Sequence, residues 1–541
     1  MRATVGTAVL RAVGAVMLVG GLAMLVVPRP VFTPITHWVV VVTCLVAVAA
    51  ALLVRVSQRV RTTLGSRWAG PGLAAVGGAV GAVVGEVMRY PYGWDAAVVM
   101  GYARRLEAGM PLTSGDYRYL SMYPNNLPLL AIDRSGAALA ARLGLSPDAV
   151  LLAAGAVGLA ATVWITHRVV RRCAGPVAAA VAALLVTCFV GLSPWMAVPY
   201  TDVFAVPFVM ATIALAAEAW SVRGAQRWIA WAGAVACGVV AFVVKTTPVV
   251  IVVAVVMVIA LDTLPTRRGD EAARRSEGST RVRVARAAAV AALTVLTFAG
   301  GAAGVTQLAR QAGGADLSRV DTARSAPVIW WVANGMIEID ARTFTSYGGY
   351  SRSMVEAIEG RTQAGMSAYA RDFMEDRWAE RGLPGMLAFY AEKAVWNWND
   401  GMFMAWGEGS DASQRPYAHN LLAGALQQVN GYHGRWYPVR ASVTEGVWAA
   451  VVLLAGAGLL RAPFRRDVLL LALSTLGIGI FVLVFQGRSR YLLSFVPVVV
   501  ALSCAVLPSL RSVLGRGRLG RRIVRAGCGE GTSVQFGHKP G

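Results

Sequence analysis

Long blocks of Ala, Val, Leu and Gly, separated by short breaks rich in Arg, constrain this chain more than any other feature. A hydrocarbon core of about 30 Å demands about 17–25 consecutive apolar residues of a helix that crosses it. Backbone exposed to lipid must satisfy its own hydrogen bonds, which leaves helices or closed barrels. A barrel would show weak alternation in place of solid blocks. The expected fold is an all-α polytopic membrane protein with about 12 transmembrane helices. The expected spans are 6–27, 38–54, 70–88, 148–166, 176–192, 203–220, 228–244, 248–261, 287–308, 446–460, 468–485 and 491–508. Only 15% of the 541 residues are charged against 56% hydrophobic, too few to cover a soluble surface of that size.

In a soluble chain the net charge of +22 would point to nucleic acid. Here Arg flanks the spans and sets their topology, so membrane lipids are the expected partners and nucleic acid is not. Cys44, Cys173, Cys188, Cys237, Cys504 and Cys528 lie in apolar blocks, at their edges or in the C-terminal tail, and no structural disulfide is expected in the polar regions. The five histidines have no metal-ligand spacing, and no metal ligands are expected. The first apolar block outruns a signal-peptide core and reads as a retained first helix.

Stretch 126–144 is long enough to cross, but Asp133 and Arg134 would then sit near the bilayer centre, at about 2.5–3.5 kcal/mol each. Charge parity decides the matter. With this stretch in the interface and a cytoplasmic N-terminus, the dense Arg clusters at 55–67, 168–172, 267–286 and 461–466, and the tail from Arg511, all fall inside; a crossing would turn every later cluster outward. The chain then divides into N-terminal spans (1–88), a first extracytoplasmic loop with interfacial helices (89–147), central spans (148–308), an extracytoplasmic mixed/α region (309–445), C-terminal spans (446–508) and a basic cytoplasmic tail (509–541). The Trp- and Tyr-rich 309–445 region suits a domain resting on the membrane. Its strongest local signals are Trp330-Trp331 and Trp396 to Gly401. The connector 262–286 and the tail are expected to be disordered.

Parity gathers several polar residues on the extracytoplasmic rim. Gly93-Trp94-Asp95 opens an amphipathic helix in which Trp94, Val98, Tyr102 and Leu106 recur every four residues, a stripe for lipid or the bundle top, ended by Gly109 and Pro111. Asp95 is either a helix-start carboxylate or a base. Tyr123-Pro124-Asn125-Asn126 is an aromatic anchor followed by a helix start. Pro199-Tyr200-Thr201-Asp202 places an acid at the mouth of a span, which is costly unless it meets a cavity or partner. Lys245 breaks an apolar run too long for one crossing, and serves either as a snorkelling anchor or to reach an anionic headgroup. Arg488-Ser489-Arg490-Tyr491 runs against the positive-inside trend; paired guanidinium groups suit a phosphate or ordinary lipid headgroups. A carboxylate beside cations next to a lipid-facing groove is what sugar transfer from a lipid-phosphate donor needs.

In order and topology, from about residue 70 to 508, these motifs resemble the GT-C superfamily of polytopic glycosyltransferases. The nearest likeness is to the bacterial branch related to protein mannosyltransferases and aminoarabinose transferases, which use polyprenyl-phosphate-linked sugars. The resemblance implies a GT-C-like fold and a hexosyl- or pentosyltransferase acting with inversion. By it, Asp95 is the base and Asp202 the second acidic site residue. Lys245, Arg488 and Arg490, with Tyr491, hold the donor phosphate and lipid; Trp94, Tyr123, Asn125, Asn126 and Tyr200 contact substrate. The donor would be a polyprenyl-phosphate sugar and the acceptor an extracytoplasmic glycan, lipid or protein of the cell envelope. No cofactor is certain; Ala96 follows Asp95 where some relatives carry a second acid, which leaves a divalent metal open. The competing reading is a multi-span transporter or a lipid-linked glycan flippase or polymerase. A transporter would show inverted repeats with midplane polar residues, and no internal repeat is visible.

Overall fold

The computed structural model of the chain describes residues 2–29, 33–54, 56–261, 263–264, 280–340, 345–409 and 415–516. In chain order the helices are α1 (Arg2–Val26), α2 (His37–Leu53), α3 (Gln58–Gly65), α4 (Ala69–Val87), α5 (Trp94–Glu107), α6 (Ser114–Met122), α7 (Leu127–Leu143), α8 (Pro147–Val186), α9 (Thr201–Ser221), α10 (Ala225–Val244), α11 (Val249–Leu261) and α12 (Thr280–Ala312). Then come α13 (Val328–Asn334), a hairpin of β1 (Glu338–Asp340) and β2 (Thr345–Tyr347), α14 (Arg352–Glu356), α15 (Gln363–Trp398), α16 (Leu421–Asn430), α17 (Tyr437–Arg461), α18 (Arg466–Val484) and α19 (Val496–Arg516). The antiparallel hairpin, with Ile339 opposite Ser346, is the sheet among the described residues; everything else regular is helical.

Among the described residues, nine helices are long and apolar enough to cross a membrane. Twelve stretches were expected, and each overlaps a helix. The difference has three sources. Helix α2 forms a bent pair with α3, turned by 92°, and α11 has only 13 residues. The expected 148–166 and 176–192 spans lie in one continuous helical run, Pro147–Gly191.

That run reverses at Gly175, where φ is 84° and ψ −178°. Only glycine adopts this conformation without strain, and Pro176 restarts the helix. The packing confirms the turn. A Cβ added to Gly191 would lie 2.9 Å from Leu159, and one on Gly77 would lie 3.0 Å from both Val163 and Thr187. Residues equally far from Gly175 therefore lie side by side. The Arg residues near the turn are engaged: Arg171 bonds the carbonyl of Gly65 at 2.6 Å, and Arg172 pairs with Glu218. Helix α15 reverses in the same way at Gly382 (φ 59°).

Glycine also sets how closely the helices approach. Gly77, Gly81 and Gly85 recur every four residues on α4; a Cβ on Gly81 would meet Leu159 at 2.8 Å, and one on Gly85 the Met196 carbonyl at 2.8 Å. Such small-residue ladders let helix backbones pack by van der Waals contact where lipid supplies no hydrophobic drive.

Several boundaries differ from expectation. Helix α12 starts at Thr280, inside the expected connector, whose residues 265–279 lie outside the described residues, as do residues 517–541 of the tail and Cys528. Helix α17 starts at Tyr437, nine residues before the expected 446, and takes the end of the 309–445 region into a long helix. On α5 the buried face is Ala96, Val99, Met100, Tyr102 and Ala103, whereas Trp94 is 61% exposed. The expected apolar stripe of Trp94, Val98, Tyr102 and Leu106 is thus split, because small residues pack the helix closely and leave the larger Trp94 at its edge. Helix α7 is not among the helices apolar enough to cross. It packs against α5, α8 and α12, with Asp133 fully buried and neither carboxylate oxygen bonded. Burial pushes that carboxyl well above the usual carboxylate range. The other five cysteines are free thiols.

Candidate active site

Five stretches of the chain, from the first turn of α5 to the loop after α18, bring polar side chains to one cavity of about 690 Å³. The first is α5, whose first turn carries Asp95. Arg104 on the same helix donates to Asp148 at 2.9 Å, and Tyr92 just before it donates to Asp148 at 3.0 Å, fixing α5 against the start of α8. The second is α6 and the turn after it. A capping box between Thr113 and Asp116 starts α6, and Arg105 clamps Asp116 at 2.8 Å. This presents Tyr119, Tyr123, Asn125 and Asn126 to the cavity.

These two stretches build a hydrogen-bond chain that ends on Asp95. Asn125 Nδ2 donates to Asn126 Oδ1 at 3.3 Å, Asn126 Nδ2 to the Tyr119 hydroxyl at 2.6 Å, and Tyr119 to Asp95 Oδ1 at 2.7 Å. From the opposite side the Tyr200 hydroxyl donates to Oδ2 at 3.2 Å. Burial, then the charge of Asp95, push the Tyr119 phenol well above its ordinary range, and burial does the same to Tyr200. Both stay protonated donors, and the carboxylate is oriented from two sides.

Tyr200 and Asp202, at the start of α9, form the third stretch, and the α10–α11 turn with Lys245 the fourth. Lys245 pairs with Asp202 Oδ1, with side-chain exposures of 8% and 0%. The Lys245 ammonium also lies 4.7 Å from the Tyr491 ring centroid. The second acid expected from the sequence is therefore the counter-ion of the expected phosphate cation.

The fifth stretch is Phe485 to Phe495, between α18 and α19. It is stitched to the 331–348 region: Gln486 N–H donates to the Trp331 carbonyl and Gly487 N–H to that of Gly348, both at 2.9 Å. Lys393, fully buried, donates to the carbonyls of Gly335, Leu483 and Phe485 at 2.5, 2.7 and 2.8 Å and locks the junction. Within this loop Arg490 pairs with Glu408 and lies over the rings of Tyr200 (5.2 Å) and Tyr491 (5.5 Å). Arg488 has no carboxylate partner among the described residues; its guanidinium lies 4.0 Å from the Met404 sulfur. Desolvation pulls this half-buried guanidinium below the ordinary arginine range, while the charges of Tyr491 and Asp95 oppose that fall.

All eleven residues singled out from the sequence (Trp94, Asp95, Tyr123, Asn125, Asn126, Tyr200, Asp202, Lys245, Arg488, Arg490 and Tyr491) line this cavity. Sequence reasoning assigned no role to Tyr119, Glu408, Gln486, Tyr350 or the Trp330-Trp331 pair, which line it too. Tyr119 stands one helical turn before Tyr123, a spacing that marks a shared face. Glu408 had no such signal. The Trp396–Gly401 segment proves to be scaffold: Asp400 accepts from Met402 N, Met404 N and Ser489 Oγ at 3.0, 2.7 and 2.5 Å, which ties it to the arginine loop.

The walls differ in character. Asp95, the tyrosines, Glu408 and the arginines form a polar face. Phe242, Val243, Val244 and Val249 of α10 and α11, with Phe481 of α18 and Phe485 just after it, form an apolar one. Among the described residues no three His, Cys, Asp or Glu side chains could share a metal ion.

A profile of the family described as conserved hypothetical integral membrane protein matches residues 21–510. No curated protein matches the chain. Among solved structures it shows a distant likeness to the archaeal oligosaccharyltransferase AglB from Archaeoglobus fulgidus, in complex with an inhibitory peptide and a dolichol-phosphate. The TM-score is 0.32 at 11% identity, covering 87% of this chain and 53% of that one. The chain thus spans about half the length of that enzyme, and a superposition this loose carries no argument about chemistry.

Proposed function

The chain belongs to this family of integral membrane proteins, and on that premise we propose that it is a GT-C-type glycosyltransferase using a polyprenyl-phosphate-linked sugar. The acceptor would be an extracytoplasmic component of the cell envelope. One observation carries the reading. A carboxylate oriented by two phenols and an arginine without a carboxylate partner among the described residues line one cavity, whose other wall is apolar.

Asp95 takes the proton of an acceptor hydroxyl as that oxygen bonds the anomeric carbon. The glycosyl–phosphate C–O bond breaks on the opposite face, and the phosphate leaves with the electron pair. Arg488, joined by Arg490, stabilises the charge that grows on the departing phosphate. Tyr119 and Tyr200 hold the carboxylate in line. The apolar wall of α10, α11 and α18 accommodates the first isoprene units. A single displacement of this kind inverts the anomeric centre. Asp202 is assigned here to holding Lys245 charged at the donor site, while Trp94, Tyr123, Asn125 and Asn126 border the acceptor side.

In topology, we read α8 as two crossings about Gly175, and α2 and α11 as a crossing each, which restores twelve spans. The termini then lie in the cytoplasm and the cavity opens on the extracytoplasmic side. The test is the cell-envelope glycan and lipid-donor profile of a deletion strain. Accumulated polyprenyl-phosphate sugar with a truncated glycan is expected. Intact glycans with a solute-uptake defect would assign the chain to transport instead.

A further inference from the structure

Four non-glycine residues among those described have left-handed backbone: Trp94 (φ 53°), Phe403 (53°), Met404 (55°) and Trp406 (68°). Such backbone is strained for residues with a side chain, and strain of this kind gathers at ligand clamps and switches. All four lie on two segments that meet at one point, where Gly93 N–H donates to the Glu408 carbonyl. The Glu408 side chain makes a separate contact. It is almost fully buried, lines the cavity and pairs through Oε1 with Arg490, while Oε2 has no partner.

The contacts close into a ring. Arg490 lies on Tyr200, Tyr200 donates to Asp95, Asp95 follows Gly93 by two residues, Gly93 bonds the backbone of Glu408, and Glu408 returns to Arg490. One residue thus touches both halves of the site: the turn that aims Asp95 and the cation beside the phosphate subsite.

We propose that Glu408 is a positioning residue: its carboxylate holds Arg490 as an internal anion until the donor phosphate takes the guanidinium over, and its carbonyl ties that exchange to the turn carrying Asp95. The inference rests on the reading of the cavity as a lipid-phosphate site. An anion that competes inside the site lowers the fraction of molecules ready for a ligand, and apparent affinity falls by that fraction.

The test uses the full chain in phosphatidylcholine nanodiscs, with farnesyl phosphate as probe and farnesol as its uncharged control. Binding is read by fluorescence of the cavity tryptophans. Glu408→Gln keeps the backbone bond and the shape but removes the competing charge, so farnesyl phosphate binds about three- to tenfold tighter while farnesol is unaffected. Glu408→Asp, whose carboxylate falls short of Arg490, shifts binding in the same direction and covers the case in which the glutamine variant fails to fold. Arg490→Ala weakens binding. A residue that served only to hold the loop together would weaken binding when changed. Weaker or unchanged binding in a folded Glu408→Gln or Glu408→Asp overturns the inference while leaving the lipid-phosphate reading in place. Equal affinity of the unaltered chain for farnesyl phosphate and farnesol overturns both.

Discussion

Lys245 and Asp202 form a buried ion pair that joins the α10–α11 turn to the start of α9, with the Lys245 ammonium resting on the Tyr491 ring. Two charges that burial makes expensive alone are tolerable together. Removing one partner leaves the other uncompensated, at about 3–5 kcal/mol. Asp202→Asn should therefore unfold at markedly lower denaturant. The double variant Asp202→Leu with Lys245→Met should regain most of the loss. A double variant as unstable as the single one would show that the pair is not what holds these elements.

The same pair predicts a pH dependence. Burial pulls Lys245 down to about 8, with Asp202 opposing that fall and Arg490 adding to it. The ammonium is present below that pH and lost above it. Affinity for farnesyl phosphate should therefore decline between pH 7 and 9. Asp202→Asn removes the group that raises Lys245, so the decline should begin at lower pH. A flat profile in both proteins would remove Lys245 from the phosphate subsite.

Tyr119 and Tyr200 each give Asp95 one hydrogen bond. A bond to a charged group contributes about 1.5–3 kcal/mol. If both bonds orient the base in the transition state, Tyr119→Phe and Tyr200→Phe should each slow transfer at least about tenfold, at about 1.4 kcal/mol per tenfold. Initial rates of sugar transfer in isolated membranes decide this. Unchanged rates would mean that Asp95 needs no orientation.

Lys393 caps three carbonyls at the joint behind the arginine loop. Lys393→Met leaves them buried without a donor, at about 1–3 kcal/mol for each group left unsatisfied. The variant should melt earlier and bind farnesyl phosphate more weakly, since Arg488 sits just beyond Phe485. A lower melting point with unaltered binding would separate the joint from the site.

The regular part of this architecture was legible because hydropathy reads burial in lipid directly. The break at Lys245 and the reversal near Gly175 both announced themselves, the first as a charge inside an apolar run and the second as a gap between two apolar runs. Charge parity argued for an interfacial helix over 126–144 in place of a crossing, and α7 is not among the helices apolar enough to cross. Pairings were not legible. Asp202 lies 43 residues from Lys245 and Glu408 lies 82 from Arg490, and no local pattern links either couple. Glu408 was the harder case. It follows a Met-, Phe- and Trp-rich turn whose left-handed backbone at Phe403, Met404 and Trp406 leaves no glycine or proline signature at those positions.

The central claim is that Asp95 removes the acceptor proton. Its most direct test is complementation of a deletion strain with Asp95→Asn, which keeps the side chain's shape and removes its charge. The account predicts normal membrane insertion with sugar transfer reduced by about 10²–10⁴-fold. The envelope glycan should stay truncated and the polyprenyl-phosphate sugar accumulated. A variant that restores the full glycan at unaltered rate would contradict it.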